Sequence, residues 1–257
     1  MGPHFQHIHC PTSRRTSRHD RRSQVARRGA NEAGLEPHFT FPEMTCFLMV
    51  KDAIASHGLD VFGIVDQPED GLACLVLLGP APGFWNMFKT SLEWQDGERD
   101  AMDRWSQRVI SDLADNLEAV PRFPFGGPPY APFLQWAVLS GRAWSSPVGM
   151  LVHDTAGLMV SFRGALGFAE DLDIEVPASV RPCETCVDQP CLSACPVRAL
   201  GARISYDVPT CKTHLSSGEG ADCLSSGCLV RRSCPVSQKY GRDPDQSGYH
   251  MSVFLDG

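Results

Sequence analysis

The sequence predicts an α+β domain followed by a small cysteine-rich module, and three observations predict it. Apolar residues recur at helical spacing after Cys46, through Met102–Leu117 and from about Pro132 to Ser140. Short, nearly unbroken apolar runs, Val61–Val65 and Leu72–Leu78, have the length and character of strands. Eight of the eleven cysteines fall between Cys183 and Cys234.

At 257 residues and 42% hydrophobic content, the chain can bury one large core or two modest ones. Its formal charge of −7 hides an asymmetry. Residues 1–43 carry seven arginines against Asp20, Glu32, Glu36 and Glu43, whereas residues 44–257 are acidic on balance. An acidic body argues against nucleic-acid binding, which needs a basic face to neutralise phosphates. No run of eighteen apolar residues exists, so no membrane span is expected.

Residues 1–43 are rich in arginine, histidine, serine and proline and poor in apolar residues, which predicts a disordered tail. No apolar segment follows the twin arginines Arg14-Arg15 and Arg21-Arg22, so they do not read as an export signal. The histidines His4, His7, His9, His19 and His38 are scattered, and flexible scattered histidines usually bind nothing specific. Ordered patterning begins near Met44 and Met49, and a natural start at one of them is the expectation that follows. The expected organisation is a tail over 1–43, an α+β domain over 44–176 and a cysteine module over 177–257.

Phe47, Val50 and Ile54 predict a helix that ends at His57-Gly58, with Gly58 at the cap. The two apolar runs follow as strands, and Cys74 inside the second reads as a small buried hydrophobe. Gly79–Trp85 turns into a helix near residues 84–93. A longer helix follows, with Asp96 as its N-cap and Met102, Trp105, Val109, Leu113 and Leu117 on one stripe. Trp85, Trp94 and Trp105 read as core rather than as a cofactor pocket. Phe123–Tyr130, with its paired glycines and prolines, breaks regular structure. After the helix that Gly141 ends, Gly149–His153, a turn at Asp154–Gly157 and Leu158–Arg163 predict a hairpin. His153 beside the turn reads as structural. Arg163 in a strand calls for an anionic partner, an internal carboxylate or a bound phosphate.

The module reads Cys183-Glu-Thr-Cys186-Val-Asp-Gln-Pro-Cys191-Leu-Ser-Ala-Cys195-Pro196, followed by Cys211, Cys223, Cys228 and Cys234-Pro235. A bacterial ferredoxin run wraps three corners of one [4Fe–4S] cluster with closely spaced cysteines. It then sends a fourth thiolate, followed by proline, to a second cluster. Soft thiolates suit iron, and short spacing lets ligands converge on one cubane. Disulfides would also explain an even cysteine count, but the chain is larger than the small secreted scaffolds that need them. Zinc is the stronger rival, because Cys-x2-Cys and Cys-x4-Cys pairs fit tetrahedral sites, although zinc does not call for a Cys-x3-Cys-Pro step.

These residues resemble the two-cluster ferredoxin module of the epoxyqueuosine reductase and reductive dehalogenase families. The resemblance implies that Cys183, Cys186, Cys191 and Cys234 hold one cluster and that Cys195, Cys211, Cys223 and Cys228 hold the other. The steps depart from the family pattern. Four residues separate Cys186 from Cys191 where the family has two, and Cys223-x4-Cys228-x5-Cys234 is looser than its family counterpart. Pro190 and Gly227 are available to turn the enlarged loops. Residues 72–166, notably Gly149–His153 and Phe162–Leu166, are similar in outline to cobalamin-processing proteins of the B12-trafficking type. Both relatives imply a nitroreductase-like, corrinoid-binding α+β domain ahead of the bacterial-ferredoxin-like module.

The reductases carry an aspartate for proton delivery where this chain has Gly126-Gly-Pro-Pro-Tyr130. Tyr130 is the one proton donor there, and a phenol is a weak acid for this task without a neighbour that activates it. The queuosine-reducing reaction therefore does not carry over. Two functions remain: an electron carrier that serves a redox partner protein through one or two [4Fe–4S] clusters, and a corrinoid-dependent oxidoreductase whose clusters reduce a bound cobalamin beside a small-molecule substrate. The missing acid favours the carrier, and a cobalamin absorption band in the purified protein would reverse that order. Arg231 and Arg232 are either potential-setting charges beside the ligands or an exposed basic patch. His214 and His250 are the nearest imidazoles, with eight thiolates already in place. The lack of a secretory segment, with oxygen-sensitive ligation, predicts a cytoplasmic protein.

Overall fold

The computed structural model describes residues 42–66, 68, 71–172, 179–202 and 204–257. The expected disorder of the tail, its twin arginines and its five histidines lie outside the described residues. The first helix, α1, runs Pro42–Ala55, so the expected boundary at residue 44 falls inside it. It closes as anticipated at Gly58, which adopts φ 66° and donates its N–H to the Ala55 carbonyl at 2.9 Å.

Strands β1, Leu59–Asp66, and β2, Cys74–Pro80, form an antiparallel pair. The ladder slips between Val61 and Gly63, and this bulge has a packing consequence. It turns Leu59, Val61 and Ile64 to one side of the sheet, and Phe62 and Val65 to the other. The sequence between residues 84 and 93 does not form one helix. Ser91 accepts the Trp94 N–H on its hydroxyl and starts a new turn, giving α2, Phe84–Phe88, and α3, Leu92–Gln95. The long helix α4 spans Ala101–Asn116 and begins at Asp100 rather than Asp96. Asp96 instead closes α3 and takes a paired contact from the Arg104 guanidinium at 2.7 and 2.8 Å.

Strand β3, Val120–Arg122, precedes the irregular Phe123–Tyr130 segment, and helix α5, Phe133–Leu139, ends before Gly141. The expected hairpin is corrected here. Strand β5, Leu151–His153, pairs with β4, Ala143–Ser145, and Leu158–Val160 is not a strand. The polar backbone of that segment is taken by side chains from the C-terminal module: Ser237 Oγ accepts the Leu158 N–H at 2.9 Å, Arg231 donates to the Leu158 carbonyl, and Arg242 donates to the Met159 carbonyl. Extended pairing resumes with β6, Gly164–Phe168, which lies between β2 and β3.

The main sheet therefore has the order β1-β2-β6-β3, all antiparallel. One face packs Val76, Leu78, Leu166 and Phe168 against Val50 and Ile54 of α1, Phe84 and Phe88 of α2 and Trp105 and Ile110 of α4. Trp85 and Trp105 are buried there, as the periodicity implied, and Tyr249 from the C-terminal end of the chain closes the aromatic group. The other face packs Leu75, Leu77 and Ala165 against Phe133 and Ala137 of α5. This is an α+β architecture with the sheet covered on both faces.

The module follows as short pieces: 3-10 turns at Pro182–Glu184, Pro190–Leu192 and Gly218–Gly220, then α6, Val208–Leu215, α7, Ala221–Ser226, α8, Leu229–Ser233, α9, Pro235–Tyr240, and α10, Pro244–Asp256. Val148, Val152 and Leu158 of the first part share one core with Cys191, Leu200 and Val230. Among the described residues, no helix is long and apolar enough to cross a membrane.

Candidate metal centre

Six of the eight cysteines of the module lie in or cap short elements, and Cys186 and Cys195 lie in the loops between them. Cys183 and Cys191 lie in the two proline-led 3-10 turns, and Cys186 follows the first of them. The bend in the enlarged Cys186–Cys191 loop is made by Gln189 at φ 38°, and Pro190 then opens the next turn. Cys211 is on α6, where Asp207 caps the helix by accepting the Thr210 N–H at 3.0 Å. Cys223 is on α7. Gly227 ends that helix at φ 95°, and a Cβ there would meet the Ser247 side chain at 2.5 Å. Only glycine fits that turn, which delivers Cys228 to the head of α8. Cys234 ends α8 and begins α9, with Pro235 at its first position.

Folding sorts these eight thiols into two groups of four. Burial pushes the Cys191 thiol up, and the neighbouring Cys183, Cys234 and Cys186 sulfurs push it further. Cys211 is likewise raised by burial and by Cys228, Cys195 and Cys223, against a hydrogen bond from Tyr206. Cys234 has thus come back to the first group, and Cys195 has left its sequence neighbours for the later one. Cys195, Cys211, Cys223 and Cys228 line a common cavity with about 340 Å³ of empty space, part of it open to solvent. Leu200, Leu215 and Val230 supply its buried apolar walls, and His214 also lines it. Cys74 and the eight cysteines of the module are free thiols.

The surroundings carry positive and proton-donating groups. Arg231 points inward: its Nη1 donates to the Leu158 carbonyl at 2.7 Å, and burial lowers its pKa against the opposing influence of Cys228 and Tyr206. Arg232 points outward, donating from Nε to the Gly227 carbonyl at 2.9 Å and pairing with Asp222. Arg231 is thus buried toward the α+β domain, whereas Arg232 is half-buried beside Asp222, where its charge lowers the Cys223 thiol. Tyr206 was not singled out by the sequence. Burial raises its pKa, its hydroxyl bonds to Cys211, and its ring stacks on Phe254. An aromatic residue just ahead of Cys211 was the available signal.

The remaining candidates have structural explanations. The buried Cys74 thiol donates to the Glu170 carbonyl at 3.8 Å and is raised to about 11 by burial, as expected of a small core residue. His153 is fully buried. Its Nε2 lies 2.8 Å from the Phe62 carbonyl and so carries the proton, while Nδ1 accepts the Thr155 and Ala156 N–H groups. Asp154 Oδ1 is 3.1 Å from Nδ1. The contact is no ion pair: burial lowers the His153 pKa and keeps the ring neutral, and Asp154 is already engaged by Arg142 at 2.8 and 2.9 Å and by Ser179. Arg163 finds an internal carboxylate, Asp103, in a long contact of 3.4 Å. Tyr130 is 64% exposed on its loop.

No protein-family model, curated protein or solved structure matches the chain.

The donor set can be tested against a cluster on its chemistry. Each group is made of sulfur, with apolar walls, which is what iron–sulfur ligation takes. Burial raises the Cys183 and Cys191 thiols in one group and the Cys211 and Cys223 thiols in the other, and a cationic metal beside them would offset the charge of their thiolates. Among the described residues, no three His, Cys, Asp or Glu side chains converge closely enough to hold a single metal ion. A cubane asks for something else, four sulfurs held apart by a body of iron and sulfide. The residues fit such a group.

Proposed function

We propose that the chain is an iron–sulfur protein that carries electrons through one or two [4Fe–4S] clusters. Cys183, Cys186, Cys191 and Cys234 would hold one, and Cys195, Cys211, Cys223 and Cys228 the other. The observation that carries this reading is the apolar cavity lined by the four thiols of the second group, brought together from four separate stretches of the chain. Its membership matches the order implied by the ferredoxin-like cysteine pattern. The finer fold assignment, a nitroreductase-like domain ahead of a bacterial-ferredoxin-like module, belongs to the same proposal.

When bound, such clusters supply one-electron transfer. The chain's own residues define the setting. Leu200, Leu215 and Val230 give the sulfurs an apolar wall, which limits the water that reaches them. Arg231 fixes a positive charge near Cys228, and Tyr206 offers a hydrogen bond to Cys211; both oppose added negative charge and so favour the reduced state. The core shared with Val148, Val152 and Leu158 holds the module rigid against the α+β domain. The electrons would pass to a redox partner protein in the cytoplasm.

The test is a reductive titration of anaerobically purified protein with dithionite, followed by reoxidation with a one-electron acceptor. The reading expects reversible uptake of about one or two electrons per chain, one for each cluster. Redox-silent protein containing zinc in place of iron would overturn it.

A further inference from the structure

Helix α5 is apolar on two sides, and only one of them is covered. Phe133 and Ala137 turn inward and join the core on their face of the sheet, where the helix packs against β1 and β4. On the outward side Leu134 is 70% exposed, Val138 50% and Leu139 62%, and Gln135 is exposed with them. Leu134 and Val138 are four residues apart and so stand one above the other on the helix. Tyr130, also exposed, leads into the helix behind the exposed Pro128 and Pro129. Four large apolar side chains therefore face water within ten residues. Single exposed apolar residues need no explanation, but a contiguous group of them marks a contact surface.

The stretch is also free of charge. From Phe123 to Gly141 the sequence holds no Asp, Glu, Lys, Arg or His, in a chain whose charged residues make up 21%. The next cation, Arg142, is held by Asp154 at 2.8 and 2.9 Å and by the Val61 carbonyl at 2.7 Å. Charge selects the occupant of such a face. A basic partner would be drawn to the acidic surface of residues 44–257 rather than to its one uncharged stretch. An anionic membrane repels an acidic body. A second copy of the chain carries the same acidic excess, so it is repelled wherever charged surfaces meet and is accepted where neither copy presents charge. A two-fold contact sets each residue against its own counterpart or a symmetry mate, so any charge near the axis would meet its like.

We propose that the outward face of α5, with Tyr130 ahead of it, joins two copies of this chain in a symmetric dimer. Two antiparallel α5 helices would set Leu134 of one copy near Val138 of the other and bury the apolar row of each. Standard interfaces take roughly 20–30 residues a side. Residues 126–141 offer ten exposed ones, so the dimer is weak and its population rises with concentration.

Sedimentation equilibrium of the full chain over a range of loading concentrations tests this. The wild type should pass reversibly from monomer to dimer as concentration rises. Leu134→Glu with Val138→Glu, and Leu134→Lys with Val138→Lys, should each weaken dimerisation by at least about tenfold, since each places like charges across the axis. These side chains face water in the monomer, so both variants should keep the wild-type circular dichroism spectrum. An equimolar mixture of the two variants should recover the dimer, because opposite charges then meet. A wild type that remains monomeric at every concentration, variants that dimerise as the wild type does, or a mixture that stays monomeric would overturn the proposal. So would a monomer that co-sediments with phosphatidylcholine vesicles, which would assign the face to a lipid surface. Mass is read without reference to iron content, so this result stands apart from the cysteine assignment.

Discussion

Arg231 Nη1 donates to the backbone carbonyl of Leu158 at 2.7 Å, tying the helix between Cys228 and Cys234 to a segment of the α+β domain. Ser237 completes the grip by accepting the Leu158 N–H, and Gly157 lies so close that a Cβ would meet the Ser237 backbone nitrogen at 2.5 Å. One residue's two backbone groups are thus satisfied by two side chains of the module. Leu158 itself is buried in the core that the two parts share.

Ser237→Ala should destabilise the protein by about 1–3 kcal/mol, because it leaves the buried Leu158 N–H without an acceptor. Urea denaturation followed by circular dichroism checks this through the shift in midpoint. A change within experimental error would mean that the junction is not held by this bond.

Arg231→Gln keeps a donor for the Leu158 carbonyl but removes the charge near Cys228. Under the iron–sulfur reading its reduction potential should move to more negative values, since a nearby cation favours the reduced state. Arg232→Gln should move it less, because Arg232 faces outward and is paired with Asp222. Redox titration monitored by electron paramagnetic resonance gives both shifts. Equal shifts would contradict the inward and outward roles.

Gly227→Ala places a side chain at φ 95° and against Ser247, next to Cys228. The second group of thiols should lose its geometry while the first keeps its own. Iron per chain should then fall from about eight to about four, and an unchanged count would show that the turn tolerates displacement.

Stability should fall as the solution is acidified. His153 and His250 are both held below their ordinary value near 6.5 by burial, so the unfolded chain takes up their protons first as pH drops. Their contribution is complete above about pH 6.5 and is lost progressively below it. Asp154 acts later. Burial alone would raise its carboxyl, but hydrogen bonds from Arg142 and Ser179 outweigh that and hold it below the usual carboxylate range. Its contribution is therefore lost only as pH falls below about 4. Denaturant midpoints between pH 7 and 5 should decline in the wild type and decline less in His153→Gln; identical slopes would sink this assignment.

The parts of the fold legible in sequence were those set by local pattern. Val50 and Ile54 mark α1, Leu75–Leu78 mark a central strand, and Gly58 marks a helix end. Strand β6 was hidden because Gly164-Ala-Leu-Gly-Phe168 has little intrinsic strand preference and is held extended by β2 on one side and β3 on the other. Strand β3 is short and contains Pro121, which an edge position tolerates. Leu158–Arg163 looked like a strand, but Ser237, Arg231 and Arg242, distant in sequence, claim the backbone at Leu158 and Met159. The site divides the same way. The eight cysteines announce themselves by spacing, whereas the contact of Tyr206 with Cys211 exists only once the chain has folded.

The most direct test of the two-group arrangement is iron and acid-labile sulfide per chain after anaerobic purification, with an electron paramagnetic resonance spectrum of the dithionite-reduced protein. The account predicts about eight irons and spin-coupled signals from two neighbouring clusters. About four irons with a simple spectrum would contradict a cluster on Cys195, Cys211, Cys223 and Cys228, and zinc in place of iron would contradict the electron-carrying function itself.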